Sequence, residues 1–199
     1  MTFESRLENN RLRPYVREQF EVKPLRRATD VGTIPHALHI ECKDGKPTSL
    51  IMEYFSIERV SAIDRDERSI AAARANPALV GVDFSVGDVR SLSFEDSGFD
   101  AVFDLAELHN YADWERGLSE IARVLKAGGL LILEELSLES FTHGAGRLFR
   151  VLTEHPYDVM LTANTFRDSV LKNRFEILHF EERNPLGLLR YFTMIARKA

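Results

Sequence analysis

Val60-Ser61-Ala62-Ile63-Asp64-Arg65-Asp66 opens as a short β-rich run, ends in a carboxylate and hands on to a segment of helical period. Residues 59–63 suit a strand, Asp66 stands where it can cap the next helix, and Ile70, Ala71 and Ala73 make a small-residue face able to sit close against a sheet. The same unit recurs on both sides. Runs at 36–40, 82–86, 100–103 and 130–133 alternate with helical segments. Pro47 marks a first helical turn ahead of Leu50, Ile51, Tyr54 and Phe55. Asp113 precedes Leu118, Ile121, Ala122 and Leu125 at the i, i+3, i+4, i+7 spacing, and Gly128-Gly129 is expected to stop that helix before the fifth strand. Strands alternating with helices in this way predict βαβ units and a mainly parallel sheet.

The last third changes character. Residues 136–174 hold helical pieces and no strand, which reads as an insertion: 145–152 is one expected helix, and Thr165-Phe166-Arg167-Asp168 resembles a capping box ahead of Val170 and Leu171. Runs at 175–180 and 189–196, separated by a turn with Pro185 and Gly187, predict an antiparallel hairpin at the sheet edge. The N-terminal residues 1–35 are mixed and charged, with a helix expected near 3–20 that covers the pocket or packs on the sheet. The division expected is one domain over 1–199, with a core at 36–135, an insertion at 136–174 and a closing hairpin at 175–199.

Composition agrees. At 199 residues and 44% hydrophobic, the chain has enough apolar material for one domain and too little length for two ordinary ones. Its 26 basic and 31 acidic residues are interspersed, so no basic stripe points to nucleic acid. No apolar run approaches the roughly 18 residues of a membrane span, and the opening residues lack a signal-peptide pattern. Cys42 is the single cysteine and cannot form an internal disulfide. The expectation is a soluble cytoplasmic protein with no membrane and no nucleic-acid partner; oligomeric state is left open.

In an open parallel sheet, ligands bind beyond the carboxyl ends of the strands where strand order reverses, so the residues after each strand matter most. They are Asp64 after the second, Gly87 and Asp88 after the third, Asp104 and Leu105 after the fourth, and Glu134 with Glu135 after the fifth. A carboxylate ending the second strand can accept both hydroxyl protons of a ribose, and the 19 residues from Gly45 to Asp64 match the roughly 20 of a nucleoside-binding βαβ unit. The plainer alternative makes Asp64 and Asp66 helix caps. In Val86-Gly87-Asp88-Val89 a carboxylate can accept from an adenine amino group while the Val89 N–H donates to the ring; the plainer alternative is a turn aspartate.

Taken in order, these motifs resemble the class I S-adenosylmethionine-dependent methyltransferases, of the small type 11-like kind, across about residues 35–135. The segment 60–66 followed by Ala71-Ala72-Ala73-Arg74 resembles the family's ribose-binding segment, with Asp64 and Arg65 in it. Residues 83–89, then Leu92-Ser93-Phe94 and 99–103, resemble its adenine-binding turn and fourth strand. Leu108-His109-Asn110 and 120–129 resemble the segments that close the pocket. The resemblance implies a Rossmann-like α/β fold with a seven-stranded, mostly parallel sheet, an antiparallel C-terminal hairpin and helices on both faces. It implies S-adenosylmethionine as cofactor, S-adenosylhomocysteine as product, and methyl transfer to a small-molecule acceptor.

One stretch departs from the family. His39 stands where an acidic residue is usual, and Glu41, Lys43 and Gly45 stand at glycine positions, of which only Gly45 is glycine. Glu41, Cys42, Lys43 and Gly45 are the expected contacts to the methionyl end. Three readings are open. Glu41 and Lys43 meet the ammonium and carboxylate of the cofactor, or they fill its place, or they turn to solvent. The second leaves a methyltransferase fold that binds or docks without the cofactor.

Other chemistry fits less well. A nicotinamide enzyme would need Gly-x-Gly-x-x-Gly in the first turn, and a phosphate loop is absent by the same inspection. The histidines are scattered without paired metal-ligand spacing, so no metal site is expected. Methyl transfer needs chiefly alignment and exclusion of water. If a base is used, the positions are His109, Glu134, Glu135, His143, His155 and Tyr157, each with a structural role as the plainer alternative. Phe141, Phe149, Tyr157 and Met160 in the insertion suggest a partly apolar acceptor, or ordinary core.

Overall fold

The computed structural model describes residues 13–142, 147, 150, 155–184 and 189–199. His143, Phe149, Pro185, Gly187, most of the helix expected at 145–152 and the start of that expected at 3–20 lie outside the described residues. Arg13–Arg17, Glu18–Val22 and Lys23–Ala28 run on as one helical segment, α1, with a π-type middle turn. The strands are β1 (Ile34–His39), β2 (Ile57–Asp64), β3 (Asp83–Val86), β4 (Phe99–Leu105), β5 (Leu125–Leu136), β6 (Phe175–Arg183) and β7 (Tyr191–Lys198). The longer helices between them are α2 (Lys46–Tyr54), α3 (Glu67–Arg74), α4 (Trp114–Val124) and α5 (Ala163–Lys172). No helix among the described residues is long and apolar enough to cross a membrane.

The seven strands form one sheet in the order β3-β2-β1-β4-β5-β7-β6. Neighbours from β3 to β5 pair in parallel, whereas β7 pairs antiparallel with both β5 and β6. The C-terminal pair is the expected antiparallel hairpin, with β7 the inner strand and β6 the edge. Chain order reverses between β1 and β4, which opens a crevice at their carboxyl ends.

Alternate residues serve two cores. Leu38, Val102, Leu131 and Leu133 face Leu118, Ile121 and Val124 of α4 and Phe166 and Val170 of α5. Ala37, Phe103 and Ile132 face Val22 and Leu25 of α1 and Ile51 of α2. Burial on both faces explains why these strands read as short apolar runs instead of alternating ones. A third cluster, Cys42, Ala62, Ile70, Ala73, Leu79 and Phe84, seats α3 through its small residues. Asp66 caps α3 by accepting from the Arg68 N–H (2.9 Å), as expected.

Two expectations are corrected. Helix α4 ends at Val124, and Leu125 already has extended backbone (φ −72°, ψ 140°). Gly128-Gly129 instead shape an irregularity inside β5, where Phe99 pairs with Leu125 and Ala101 with Leu130. Gly128 is left-handed (φ 78°), and a Cβ on Gly129 would lie 2.9 Å from the Lys126 carbonyl oxygen and 3.2 Å from that of Asp100. The α5 capping box lies one turn earlier than expected: Thr162 is the cap, and its side chain and that of Thr165 satisfy each other's backbone N–H.

Candidate active site

The loop after β1 is positioned from both sides. The Ile40 N–H donates to the Phe103 carbonyl (3.2 Å) and the Cys42 N–H to the Ile63 carbonyl (2.8 Å). Three positions of this loop have left-handed backbone: Glu41 (φ 50°), Lys43 (φ 52°) and Gly45 (φ 81°). The backbone keeps the glycine-type path although two of the three residues carry side chains, at a cost of about 1–2 kcal/mol each. Gly45 has no room for one, since a Cβ there would lie 2.5 Å from Leu79 Cδ1 and 3.3 Å from Ala73 Cα. Cys42 is fully buried, and burial pushes its thiol up to about 12, so it is no nucleophile.

Asp64 closes the next position. Its Oδ2 accepts from the Lys43 N–H and its Oδ1 from the Asp66 N–H, both at 2.8 Å. Asp66 is therefore the helix cap, and Asp64 is the post that pins the β1 loop to the end of β2. It is buried, with two of about four acceptor sites used. Gly87 donates its N–H to the Asp64 carbonyl (3.0 Å). Asp88 accepts from the Arg90 N–H (2.8 Å) and from the Arg90 guanidinium at Nε (2.9 Å) and Nη2 (2.6 Å). These hydrogen bonds from Arg90 hold the Asp88 carboxyl below its usual range. Arg90 also donates to Asp113 (3.0 Å). The Val89 side chain is buried in the core under α4.

Tyr111, which the sequence reading did not single out, stands between these segments. Its ring is 3% exposed, its hydroxyl donates to Glu41 Oε1, and the guanidinium carbons of Arg65 and Arg90 lie 4.3 and 5.1 Å from its centroid. Arg65 Nε is also 3.6 Å from Glu41 Oε1. Burial pushes the Glu41 carboxyl up to about 7; the Tyr111 hydrogen bond works against it, and the charges of Asp64 and Glu107 add to it. Lys43 crosses to the same segment, with Nζ 2.9 Å from Glu107 Oε1. Arg17 of α1 lies 3.9 Å from that oxygen and is ion-paired with Glu21 at 2.8 Å. His39, under the loop, meets Thr48 Oγ1 through Nδ1 (2.8 Å), and burial with Arg17 nearby lowers it to about 3, so it is neutral.

Beyond β4 and β5 a second polar group is assembled. Glu135 Oε1 accepts from the Leu108 N–H (2.6 Å), and its Oε2 meets His109 Nδ1 (2.8 Å) and accepts from the Leu136 N–H (3.0 Å). Asp104 is fully buried and accepts from the Glu107 N–H (3.1 Å). Burial and the Glu135 carboxylate push Asp104 far up, so it carries its proton. As a carboxylate its Oδ2 would find no donor; protonated, it donates to Glu135. Glu134, the other base position, faces the opposite side of the sheet and is tied to Arg183 (2.8 Å). Leu105 packs into the core beneath α1 and α2.

His109 leads outward into a stack of rings. His155 is 5.1 Å from His109, 5.0 Å from Phe141 and 5.6 Å from Tyr157, and its Nδ1 meets Asn110 Oδ1 at 3.0 Å. Leu136, Phe141 and Met160 form a separate buried cluster here, with Leu138, Tyr157, Leu189 and Tyr191 against it. The structure thus brings Glu41, Lys43, Asp64, Arg65 and Asp88 to one cleft, places His109 and Tyr157 beside an apolar patch, and sends Glu134 elsewhere.

Sequence comparison finds that residues 38–133 fit the family described as "Methyltransferase domain". Those residues, just under half of the chain, resemble the methyltransferase domains of class I. S-adenosylmethionine is the cofactor of that family. The chain is 31% identical over 99 residues to phthiotriol/phenolphthiotriol dimycocerosates methyltransferase 1 of Mycobacterium ulcerans, covering 50% of this chain and 36% of that protein. It is 30% identical over 95 residues to the fatty-acid O-methyltransferase of Mycolicibacterium smegmatis, covering 48% and 35%. The chain thus matches only about a third of the length of these relatives. Its fold is that of the S-adenosylmethionine-dependent methyltransferase of Mesorhizobium loti, with a TM-score of 0.73 at 18% identity over 91% of this chain and all of that one.

Proposed function

We propose that the protein transfers a methyl group from S-adenosylmethionine to a small-molecule acceptor with a substantial apolar part. The observation that supports this best is the pairing of the Asp64–Asp88 cleft with the apolar cluster of Leu136, Phe141 and Met160 over the ends of β4 and β5. The two relatives named for lipid-like substrates agree with such an acceptor.

The donor set fits the cofactor. Asp64 has acceptor capacity left for ribose hydroxyls, Asp88 and the Val89 backbone suit an adenine edge, and the left-handed backbone at 41, 43 and 45 follows the path that lets a ligand approach closely. Bound there, the cofactor supplies an electrophilic methyl carbon on a sulfonium. The protein's own part is placement. Arg65, 4.3 Å from the Tyr111 ring, would cover the adenosine end, and the rings of Phe141, His155 and Tyr157 would exclude water from the acceptor. His109, held by Glu135 through Nδ1 (2.8 Å) and stacked against His155, stands beside the apolar patch as the base position for an acceptor proton.

Calorimetric titration of the full chain with S-adenosylmethionine and S-adenosylhomocysteine tests this reading; no heat at millimolar ligand would overturn it. A second reading, a methyltransferase fold without cofactor binding, has one observation in its favour: Glu41, Lys43 and Asp88 are each already paired with another side chain of the protein.

A further inference from the structure

Both side chains that replace glycine in the β1 loop cross the cleft, and both land on the same short segment after β4. Glu41 receives the hydroxyl of Tyr111, and Lys43 pairs with Glu107 (2.9 Å). Tyr111 touches Glu41 after β1, Arg65 after β2 and Arg90 after β3. Those are the three segments that the site described above would use for the cofactor, the loop after β1 for its methionyl end and the other two for adenosine. What Tyr111 offers them is a flat π-face under guanidinium groups and a hydroxyl given to a carboxylate, which is the chemistry of an adenine joined to a ribose. The ring lies at the edge of the apolar cluster under α4, and its other surroundings are three charged side chains, Glu41, Arg65 and Arg90.

We propose that Tyr111 is a resident occupant of the adenosine seat, held by Glu41, and that the cofactor binds by displacing it, after which the adenine takes its place against Arg65 and Arg90. Arg90 is then an adenine-stacking residue as well as the partner of Asp88. The inference rests on the proposed cofactor site. Its physical consequence is a reduced apparent affinity, because only the fraction of molecules with Tyr111 withdrawn can bind; a closed-to-open ratio of about ten weakens binding about tenfold.

The test is calorimetric titration of S-adenosylhomocysteine into the full chain as wild type, Tyr111→Ala and Tyr111→Phe, with circular dichroism and melting midpoint recorded for each. The expected result is binding about tenfold tighter in Tyr111→Ala and about threefold tighter in Tyr111→Phe, which keeps the ring and loses the bond to Glu41. If the wild type binds and neither variant binds more tightly, Tyr111 is part of the seat and the inference is overturned while the cofactor site stands. If no folded variant binds, both fail. Should Tyr111→Ala not fold, Tyr111→Phe decides alone: tighter binding supports the displacement, equal or weaker binding overturns it.

Discussion

The Tyr111 hydroxyl donates to the Glu41 carboxylate across 70 residues of sequence, and the two are buried together at the mouth of the crevice between β1 and β4. Beside it, Lys43 and Glu107 make a parallel bridge between the same two segments. The residues that stand in place of glycine therefore act as a pair of clasps, and their partners lie within five residues of each other, at Glu107 and Tyr111.

Replacing both clasps should open the cleft. In Glu41→Gly/Lys43→Gly the left-handed positions become relaxed, which offsets part of the lost ion pair and hydrogen bond, at about 1–2 kcal/mol per glycine. Binding of S-adenosylhomocysteine, measured by calorimetry, is expected to strengthen about tenfold. Weaker binding would mean that Glu41 and Lys43 hold the methionyl group themselves.

Asp64 pins the loop through two backbone N–H groups, each at 2.8 Å. In Asp64→Asn only one side-chain oxygen remains to accept, so one buried donor is left without a partner, and the charge that strengthens both bonds is gone. Urea denaturation should show a loss of roughly 2 kcal/mol, and ligand binding should fall with it. An unchanged midpoint would show that the loop holds its shape without this carboxylate.

Glu134 and Glu135 are neighbours in sequence with different roles. Glu135 holds His109 at 2.8 Å, whereas Glu134 pairs with Arg183 on the opposite face. Glu135→Gln is expected to move the His109 imidazole resonances in NMR spectra and to lower methyl transfer about 10²-fold or more. Glu134→Gln should leave those resonances in place. Equal effects on His109 would contradict the separation of the two carboxylates by the sheet.

The contributions of Glu41 and Glu135 to stability should fall as pH rises toward neutrality. Burial pushes Glu41 and Glu135 each up to about 7, above the unfolded value of about 4.3, so the folded chain binds more protons between those values. Their contribution is therefore complete below about pH 4 and is lost as pH rises through about 7. Glu41→Gln removes one of the two groups while Gln can still accept from Tyr111. Between about pH 5 and pH 8 the variant should lose roughly 2 kcal/mol less than the wild type in denaturation experiments. Identical pH slopes would mean that Glu41 ionises in the folded protein as it does in the unfolded chain.

Much of the fold was legible because its signals are local. Strands buried on both faces read as compact apolar runs, Asp66 and Pro47 mark helix starts through their own backbone chemistry, and the acidic residues ending β2 and following β3 locate the crevice once the sheet is parallel. The misplacements were local ambiguities. Gly128-Gly129 is equally good as a helix stop or as the turn of an irregular strand, and Thr162 and Thr165 offer two starts for one helix.

The sequence by itself determined the βαβ order, the acidic positions at the strand ends and the departure from glycine at Glu41 and Lys43. Tertiary structure alone decided what those side chains do. The parity of β5 against β4, with Glu134 opposite Leu105, sends Glu134 to one face and Glu135 to the other. The strand order brings the segment after β4 against the loop after β1, so Tyr111 reaches Glu41 and Glu107 reaches Lys43. A side chain's partner across 70 residues is fixed by sheet topology and register, and neither leaves a periodic trace in the chain.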